Sequence, residues 1–409
     1  MYSKFILCTI LLCCTLCGEK KWAVTVTPVA DLIPGRMSIL YPNQNLVKSY
    51  KTIALEGNKK DLHSCPRAHQ VIFNELVEID NQNGKELLIQ IPQSFYVTYK
   101  SPHIKHNRYW SYKGNFVLLS KLKKMGINID LFPKPISFSQ KGKTKKQNIA
   151  TLILPFSDQK TKKTYSVGTR FVRNKNKDTI SHVGVWIFNV EKKRFITTYI
   201  PKKICLIKQP KTQEKKRKLL VHLLRKWIQV PGGFIPYVWG GCSFTHPYKK
   251  KMIKVALENT PKGSKWPIFS QINKNTPATG FDCAGAIARA AQIIEIPYFF
   301  KNSFTAAQKL SPVKTFQELK VGDLLYFPGH ITVVSNIKEN KIIEARNHKD
   351  GFGKLQEIEL RKTFKGIKTY KQLFLAHKNK KFLHRLNSTG EVSETIKNVK
   401  LLKLFFHTS

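Results

Sequence analysis

The sequence predicts a multidomain chain in which small β-barrels precede a module that mixes helices with strands. Three observations predict it. Between about Ala23 and Pro210, short β-branched and aromatic runs alternate with polar turns, the pattern of small barrels. Beyond Lys211–Lys218, amphipathic helical spacing appears in Leu219, Leu220, Leu223, Leu224 and Trp227. A second helical pattern after Asp282 is then followed by two β-branched runs, Ile331–Ser335 and Lys341–Ala345. A chain of 409 residues has room for about two or three such domains.

The first residues read as an export signal. Lys4 supplies a small positive charge, and Phe5 to Leu16 is apolar but too short to span a bilayer. Cleavage after Cys17 or Gly18 leaves an exported chain, periplasmic or extracellular, with no later stretch apolar enough to cross a membrane. A lipid anchor on Cys17 is disfavoured, because Leu16 stands where a small residue is preferred and Cys14 where Leu is preferred. Cys8, Cys13, Cys14 and Cys17 belong to this signal, so Cys65, Cys205, Cys242 and Cys283 remain. No close Cys-x-x-Cys spacing occurs among them, and neither a zinc site nor any other metal or organic cofactor is expected. With Cys283 kept free, one bridge among Cys65, Cys205 and Cys242, or none, fits the spacing.

The β-rich half contains Ala23–Thr27, a strand pair bent within Gln70–Ile79, then Leu87–Ile91 and Phe116–Leu119. Tyr165–Val172 and His182–Ile187 repeat the pattern. The charge is extreme: 71 Lys and Arg against 25 Asp and Glu, a net +46. Such a surface attracts anionic polymers such as peptidoglycan carboxylates, teichoic acids, lipid headgroups or nucleic acid. The clusters Lys141–Lys146, Lys160–Lys163 and Lys211–Lys218 read as loops and linkers without ordered aromatic interleaving. Nucleic acid is therefore not the expected partner.

The run Phe281-Asp282-Cys283-Ala284-Gly285 carries the chemistry. Asp282 is a good N-cap, and the following Ala-rich stretch forms a helix with Ile287, Ala291 and Ile294 on one face. Cys283 then sits in the first turn, where free N–H groups and the helix dipole favour a thiolate. A nucleophile needs a base, and His330 follows the Pro328-Gly329 turn to open a strand. Glu344, on the next strand, is placed to orient that imidazole. The hydroxyl of Tyr237, before the diglycine Gly240-Gly241, and the Cys283 N–H are candidate oxyanion donors. Each residue alone has an ordinary structural reading: a buried thiol, a surface histidine, a solvated carboxylate. The joint pattern is far less common by accident.

Tyr237-x-Trp239-Gly240-Gly241, Phe281-Asp282-Cys283-Ala284-Gly285, Gly322-Asp323 and Gly329-His330 together resemble the NlpC-type cell-wall cysteine peptidases, over roughly Gln213 to Asn379. That resemblance implies a papain-like α+β fold with a central antiparallel sheet. It implies Cys283 as nucleophile, His330 as base and Glu344 as third member, where many relatives carry a second histidine. It also implies cleavage of peptidoglycan stem peptides, commonly between γ-D-glutamate and diaminopimelate. Ala284 replaces the usual Ser, and the Lys-rich stretch between Ser243 and Gly280 is longer than usual. The two β-rich stretches resemble bacterial SH3-like domains, which often precede this peptidase type. The boundaries so implied are a signal at 1–18, SH3-like domains at 23–140 and 141–210, the peptidase at 213–385 and a tail at 386–409, whose apolar Val399–Phe406 docks as a strand or helix. In the subgroup with such domains, Glu75, Tyr112 and Asp282 match residues that hold a free substrate amine, and Trp239 lines the substrate cleft. In structural terms Glu75 is equally a strand-edge charge, Tyr112 a barrel aromatic and Asp282 a helix cap.

The leading function is thus an exported thiol peptidase whose partner is peptidoglycan or its released peptides. A catalytically silent wall-binding protein, and an amidase or acyltransferase on the same skeleton, remain the alternatives.

Overall fold

Short hydrophobic runs build the N-terminal half of the computed structural model, which describes residues 20–51, 53, 55, 65–91, 94–136, 147–249, 276–298 and 300–405. The expected signal, Pro92-Gln93, the Lys141–Lys146 cluster and most of the Ser243–Gly280 insertion lie outside the described residues. The first unit contains β1 (Lys21–Thr25), β2 (Val29–Leu32), β3 (His69–Ile72), β4 (Leu76–Asn83), β5 (Glu86–Gln90), β6 (Arg108–Tyr112) and β7 (Phe116–Leu118). Five of these strands form a sheet in the order β6-β5-β4-β1-β7, and β2 pairs with β3. The bend expected within Gln70–Ile79 is present: Asn74 adopts a φ of 68°, and the Glu75 N–H returns to the Ile72 carbonyl at 3.0 Å. The two strands do not pair with each other, however. β3 joins β2 while β4 joins β1 and β5, so the bend passes the chain from one sheet to another.

The second unit contains β8 (Ile149–Leu152), β9 (Phe156–Asp158), β10 (Lys163–Tyr165), β11 (Arg170–Val172), β12 (His182–Asn189), β13 (Arg194–Pro201) and β14 (Cys205–Leu206). The run Tyr165–Val172 is interrupted rather than continuous, ending one strand and beginning another. Phe73, from the bend of the first unit, inserts beside Tyr165 at 4.7 Å between ring centres and joins the core formed by Leu152, Phe171 and Val185. The two units therefore share buried surface.

The C-terminal half is α+β. A helix at Gln213–Ile228 starts at Thr212, whose side chain accepts the Lys215 N–H, and buries Leu220, Leu223, Leu224 and Trp227. Trp227 stacks on Phe281 at 5.0 Å, which seats the short pair β15 (Cys242–Ser243) and β16 (Gly280–Phe281). β16 leads into the helix Cys283–Ile293. The central sheet takes β17 (Leu324–Phe327), β18 (His330–Asn336), β19 (Lys341–Arg346) and β20 (Lys354–Glu359). After the hairpin β21 (Leu383–Leu386) and β22 (Val392–Ile396), it also takes β23 (Lys400–Leu402). The order is β20-β19-β18-β17-β23, with every neighbour antiparallel. The chain past residue 385 is thus woven into the sheet, and its apolar end docks as a strand. Leu324, Tyr326, Ile331 and Val333 face the helices, whereas Leu325, Phe327 and Val334 face a second core. Both faces are covered at the centre of the sheet, and β17 reads as a continuous apolar run, Leu-Leu-Tyr-Phe. No described helix is long and apolar enough to cross a membrane. Among the described residues Cys65, Cys205, Cys242 and Cys283 are free thiols.

Candidate active site

Asp282 caps the nucleophile helix as expected, its Oδ1 accepting the Gly285 N–H. The loop Pro236–Gly241 is laced to this entry. Val238 N–H bonds Phe281 O at 3.1 Å, Phe281 N–H bonds Pro236 O at 3.2 Å, and Asp282 N–H bonds Gly241 O at 3.1 Å. Two glycines make the approach possible. A Cβ on Gly285 would lie 1.9 Å from the Gly241 oxygen, and one on Gly240, at a φ of 68°, would lie 2.5 Å from the Arg67 oxygen. Tyr237 is buried here; its N–H donates to Gly353 O at 2.8 Å, and its carbonyl accepts from His348 Nε2 at 3.2 Å. Trp239 keeps an exposed indole while its N–H bonds Leu55 O and its carbonyl accepts from Arg67.

Cys283 retains part of its surface to solvent, although its sulfur is closely walled. Burial, and then the Asp282 carboxylate, push the thiol up to about 12; the Ile331 N–H facing the sulfur and the charges of Lys301 and Arg385 act in the opposite direction. His330 opens β18, as expected, with the Ile331 N–H immediately after it. Its Nε2 lies 2.9 Å from Glu344 Oε2, which leaves Nδ1 as the nitrogen available to the thiol. Its ring packs on Phe327 at 5.2 Å. Burial, followed by repulsion from Arg385, lowers His330 to about 4 despite its bond to Glu344. Among the described residues no hydrogen bond joins Cys283 Sγ to His330. His330 shares the face of Val334, whereas Cys283 packs on the Ile331 and Val333 side. Cys283 therefore abuts β18 through the Ile331 N–H, one residue past the imidazole, and catalytic contacts commonly tighten only with substrate bound.

Glu344 sits in a fully enclosed ionic cluster. Its Oε1 accepts from Gln356 at 3.1 Å, and its Oε2 accepts from Arg385 Nη2 at 3.2 Å as well as from His330. Arg346 lies 3.9 Å from Glu344 and 3.1 Å from Asp350, and Arg385 lies 3.9 Å from Asp350. Burial alone would raise the Glu344 carboxyl, but its bond to His330 and the charge of Arg385 hold it well below the usual carboxylate range. Arg385 also stacks over Phe327 at 4.8 Å. It thus touches both the residue under the imidazole and the oxygen that orients it.

The three residues matched to an amine site take separate partners. Asp282 Oδ2 is 3.2 Å from the buried ammonium of Lys301. Glu75 accepts from Arg289 at 2.7 Å, from Gln292 at 3.2 Å and from the Ile72 N–H at 2.9 Å. Tyr112 lies opposite Glu86 in the β5–β6 ladder and packs near Tyr50 at 6.5 Å. Lys301, Arg346, Asp350 and Arg385 were not singled out from the sequence. Only Arg346 left a readable signal. It stands two residues beyond Glu344 on a strand of buried residues, so the two must share one dry face as a pair.

Comparison with known proteins gives the following. The chain is similar to the crystal structure of an NlpC/P60 family protein from Bacillus cereus, at 13% identity and a TM-score of 0.49, over 83% of this chain and 94% of that one. It is similar to NlpC2 from Trichomonas vaginalis at 8% identity and a TM-score of 0.29, over 84% and 94%. It is similar to the peptidoglycan hydrolase RipB from Mycobacterium tuberculosis at 21% identity and a TM-score of 0.23, over 37% and 63%. No protein-family model and no curated protein matches the chain.

Proposed function

We propose that this chain is an exported cysteine peptidase that hydrolyses peptidoglycan stem peptides at the γ-D-glutamyl-diaminopimelate bond. The observation that carries the reading is local: a thiol in the first turn of a helix abuts the strand whose first residue is an imidazole already oriented by a buried carboxylate. The motif set from Tyr237 to His330 supports the choice of substrate class. At neutral pH the resting pair is thiol and neutral imidazole, since Cys283 is held high and His330 low. His330 Nδ1 removes the thiol proton as sulfur attacks the amide carbon, and returns it to the leaving amine. Glu344 keeps Nε2 protonated and the ring in place. The Cys283 N–H, one of the helix-opening donors without an intrahelical partner, and the Tyr237 hydroxyl stabilise the oxyanion. Water, activated by the same imidazole, hydrolyses the thioester. No bound metal is invoked.

Trp239 supplies an exposed aromatic wall for the substrate. The β-rich units are proposed as SH3-like, closing one side of the cleft and, with the positive surface, favouring anionic wall polymers. Asp282 already holds an ammonium, that of Lys301. A free substrate amine would have to displace it from a buried ion pair, so peptides with free and acylated N-termini are expected to be cleaved at similar rates. The test is hydrolysis of L-Ala-γ-D-Glu-diaminopimelate and its N-acetyl form by the protein and by Cys283→Ala. Cleavage that vanishes in the variant supports the reading. No cleavage of either peptide by folded protein overturns it in favour of a wall-binding role or another acyl substrate. Cleavage of only the free-amine peptide would restore Glu75, Tyr112 and Asp282 as an amine site.

A further inference from the structure

Between the β3–β4 bend, the second β-unit and the nucleophile helix lies a cavity of about 100 Å³. Ala288, Arg289 and Gln292 of the helix form part of its wall. Helical spacing turns Cys283, Ile287 and Ala290 away from it, so the cavity lies behind the nucleophile rather than in the catalytic cleft, with Tyr298 on its wall within electrostatic reach of Cys283 and Asp282.

Its charges do not close among themselves. Arg289 is neutralised by Glu75 at 2.7 Å. Arg170 also lines the cavity, and its guanidinium donates to the Lys134 carbonyl at 2.6 Å. Among the described residues no carboxylate stands within ion-pair distance of it. Glu295 and Glu75 act on its charge only from beyond that distance, so Arg170 has no carboxylate in direct contact. Three polar atoms on the same wall also lack partners: His69 Nδ1, Asn74 Oδ1 and the Tyr298 hydroxyl, each on a residue more than nine-tenths buried. Buried polar groups are ordinarily hydrogen-bonded, and Arg170, half-buried at the rim of the cavity, is a cation free to turn to an anion. Three orphans and an unmatched cation around one void are a ligand's complement rather than a packing error. Burial, then the nearby charges of Lys301 and Arg289, keep His69 well below its usual range. It is a neutral hydrogen-bonding group here, not a second cation.

We infer that this cavity binds a small monocarboxylate carrying a hydrogen-bond donor on its α-carbon, with the carboxylate on Arg170 and Tyr298 and the donor on Asn74. Size sets the class. A protein cavity of about 150 Å³ accepts benzene, so about 100 Å³ suits roughly four to six heavy atoms. Two- and three-carbon hydroxy and amino acids have that size and both groups. The occupant would touch the bend of the first unit, β11 of the second and the segment after the nucleophile helix. Binding should therefore raise the melting temperature of the whole chain.

The test is calorimetric titration of the full chain with lactate, glycine and glycinamide. About 0.15 M salt suppresses diffuse anion binding to the +46 surface. Lactate and glycine should bind and glycinamide should not. Arg170→Gln should weaken binding by at least about tenfold, and Tyr298→Phe by about threefold to tenfold. Both variants should keep the far-ultraviolet circular dichroism and the cooperative thermal unfolding of the unsubstituted chain, which shows that they fold. Absence of binding to the wild-type chain would mean that the cavity holds water only and would overturn the site. Equal binding by Arg170→Gln would also overturn it, and equal binding of glycinamide would overturn the carboxylate class.

Discussion

Two ionic clusters, one around Glu344 in the central sheet and one around Glu75 against the nucleophile helix, are finished differently. Around Glu344, two carboxylates and two guanidiniums interlock, with Gln356 and His330 taking the remaining acceptor positions. Around Glu75, one carboxylate serves Arg289 and Gln292, while Arg170 falls back on a backbone carbonyl. In the first cluster every guanidinium has a carboxylate within ion-pair distance, although Arg346 Nη1 and Arg385 Nε make no hydrogen bond among the described residues, and the cluster lies in the core of one sheet. The second is open and lies where three pieces of chain meet. A closed cluster fixes geometry, because no member can move without stranding a charge. An open one leaves capacity for something else to complete it. The difference explains why the same protein holds its imidazole rigidly yet carries a polar void next to its nucleophile helix.

The comparison can be broken at several points. The largest expected effect is chemical: Cys283→Ala should lower stem-peptide hydrolysis by on the order of 10³-fold or more, measured as released diaminopimelyl peptide. Next is the closed cluster. Glu344→Gln leaves Asp350 as the buried carboxylate facing both Arg346 and Arg385 and should cost about 3–5 kcal/mol in urea unfolding. Glu75→Gln, at a partly exposed carboxylate, should cost only about 1–2 kcal/mol. Equal costs would remove the distinction between the clusters.

Acid should act on the same core. His330 and His348 are both held at about 4, against an ordinary 6.5, chiefly by burial. The unfolded chain therefore takes up protons first as pH falls. Stability present above about pH 6.5 should drain away down to about pH 4, by on the order of 3 kcal/mol for each of the two. His348→Gln should flatten that slope; an unchanged slope would show that His348 already carries a proton in the folded state. A smaller and more local effect is expected from Arg385→Met. Without that repelling charge His330 should bind protons more readily, so the acid limb of the activity profile should move upward from about pH 4 toward 6.5. A limb that stays in place would remove Arg385 from the control of the base.

What could be read from the sequence follows the distance over which each feature is made. The cap at Asp282, the helix after it, the turn before His330 and the strand with Glu344 are each encoded within about one turn or strand, and all are found in place. The partners of those residues come from far along the chain: Arg385 from the hairpin past Glu344, Lys301 from beyond the nucleophile helix, Arg289 for Glu75 across the junction of units. Charge pairing of this kind has no period or spacing, so it stayed hidden. The bend at Asn74 shows the same limit. Its local turn was readable, but whether the flanking strands pair with each other or with different sheets is decided by β1 and β2. The tail after residue 385 carried no motif, because a strand such as Lys400–Leu402 is specified by the edge of β17 that receives it.

The most direct measurement is acid quenching of the protein during turnover of an L-Ala-γ-D-Glu-diaminopimelate peptide, followed by mass analysis of the peptide that contains Cys283. The expected result is an L-alanyl-γ-D-glutamyl thioester on Cys283, lost in Cys283→Ala together with turnover. Turnover that persists in Cys283→Ala, with no adduct on the wild-type thiol, would contradict nucleophilic catalysis at this site.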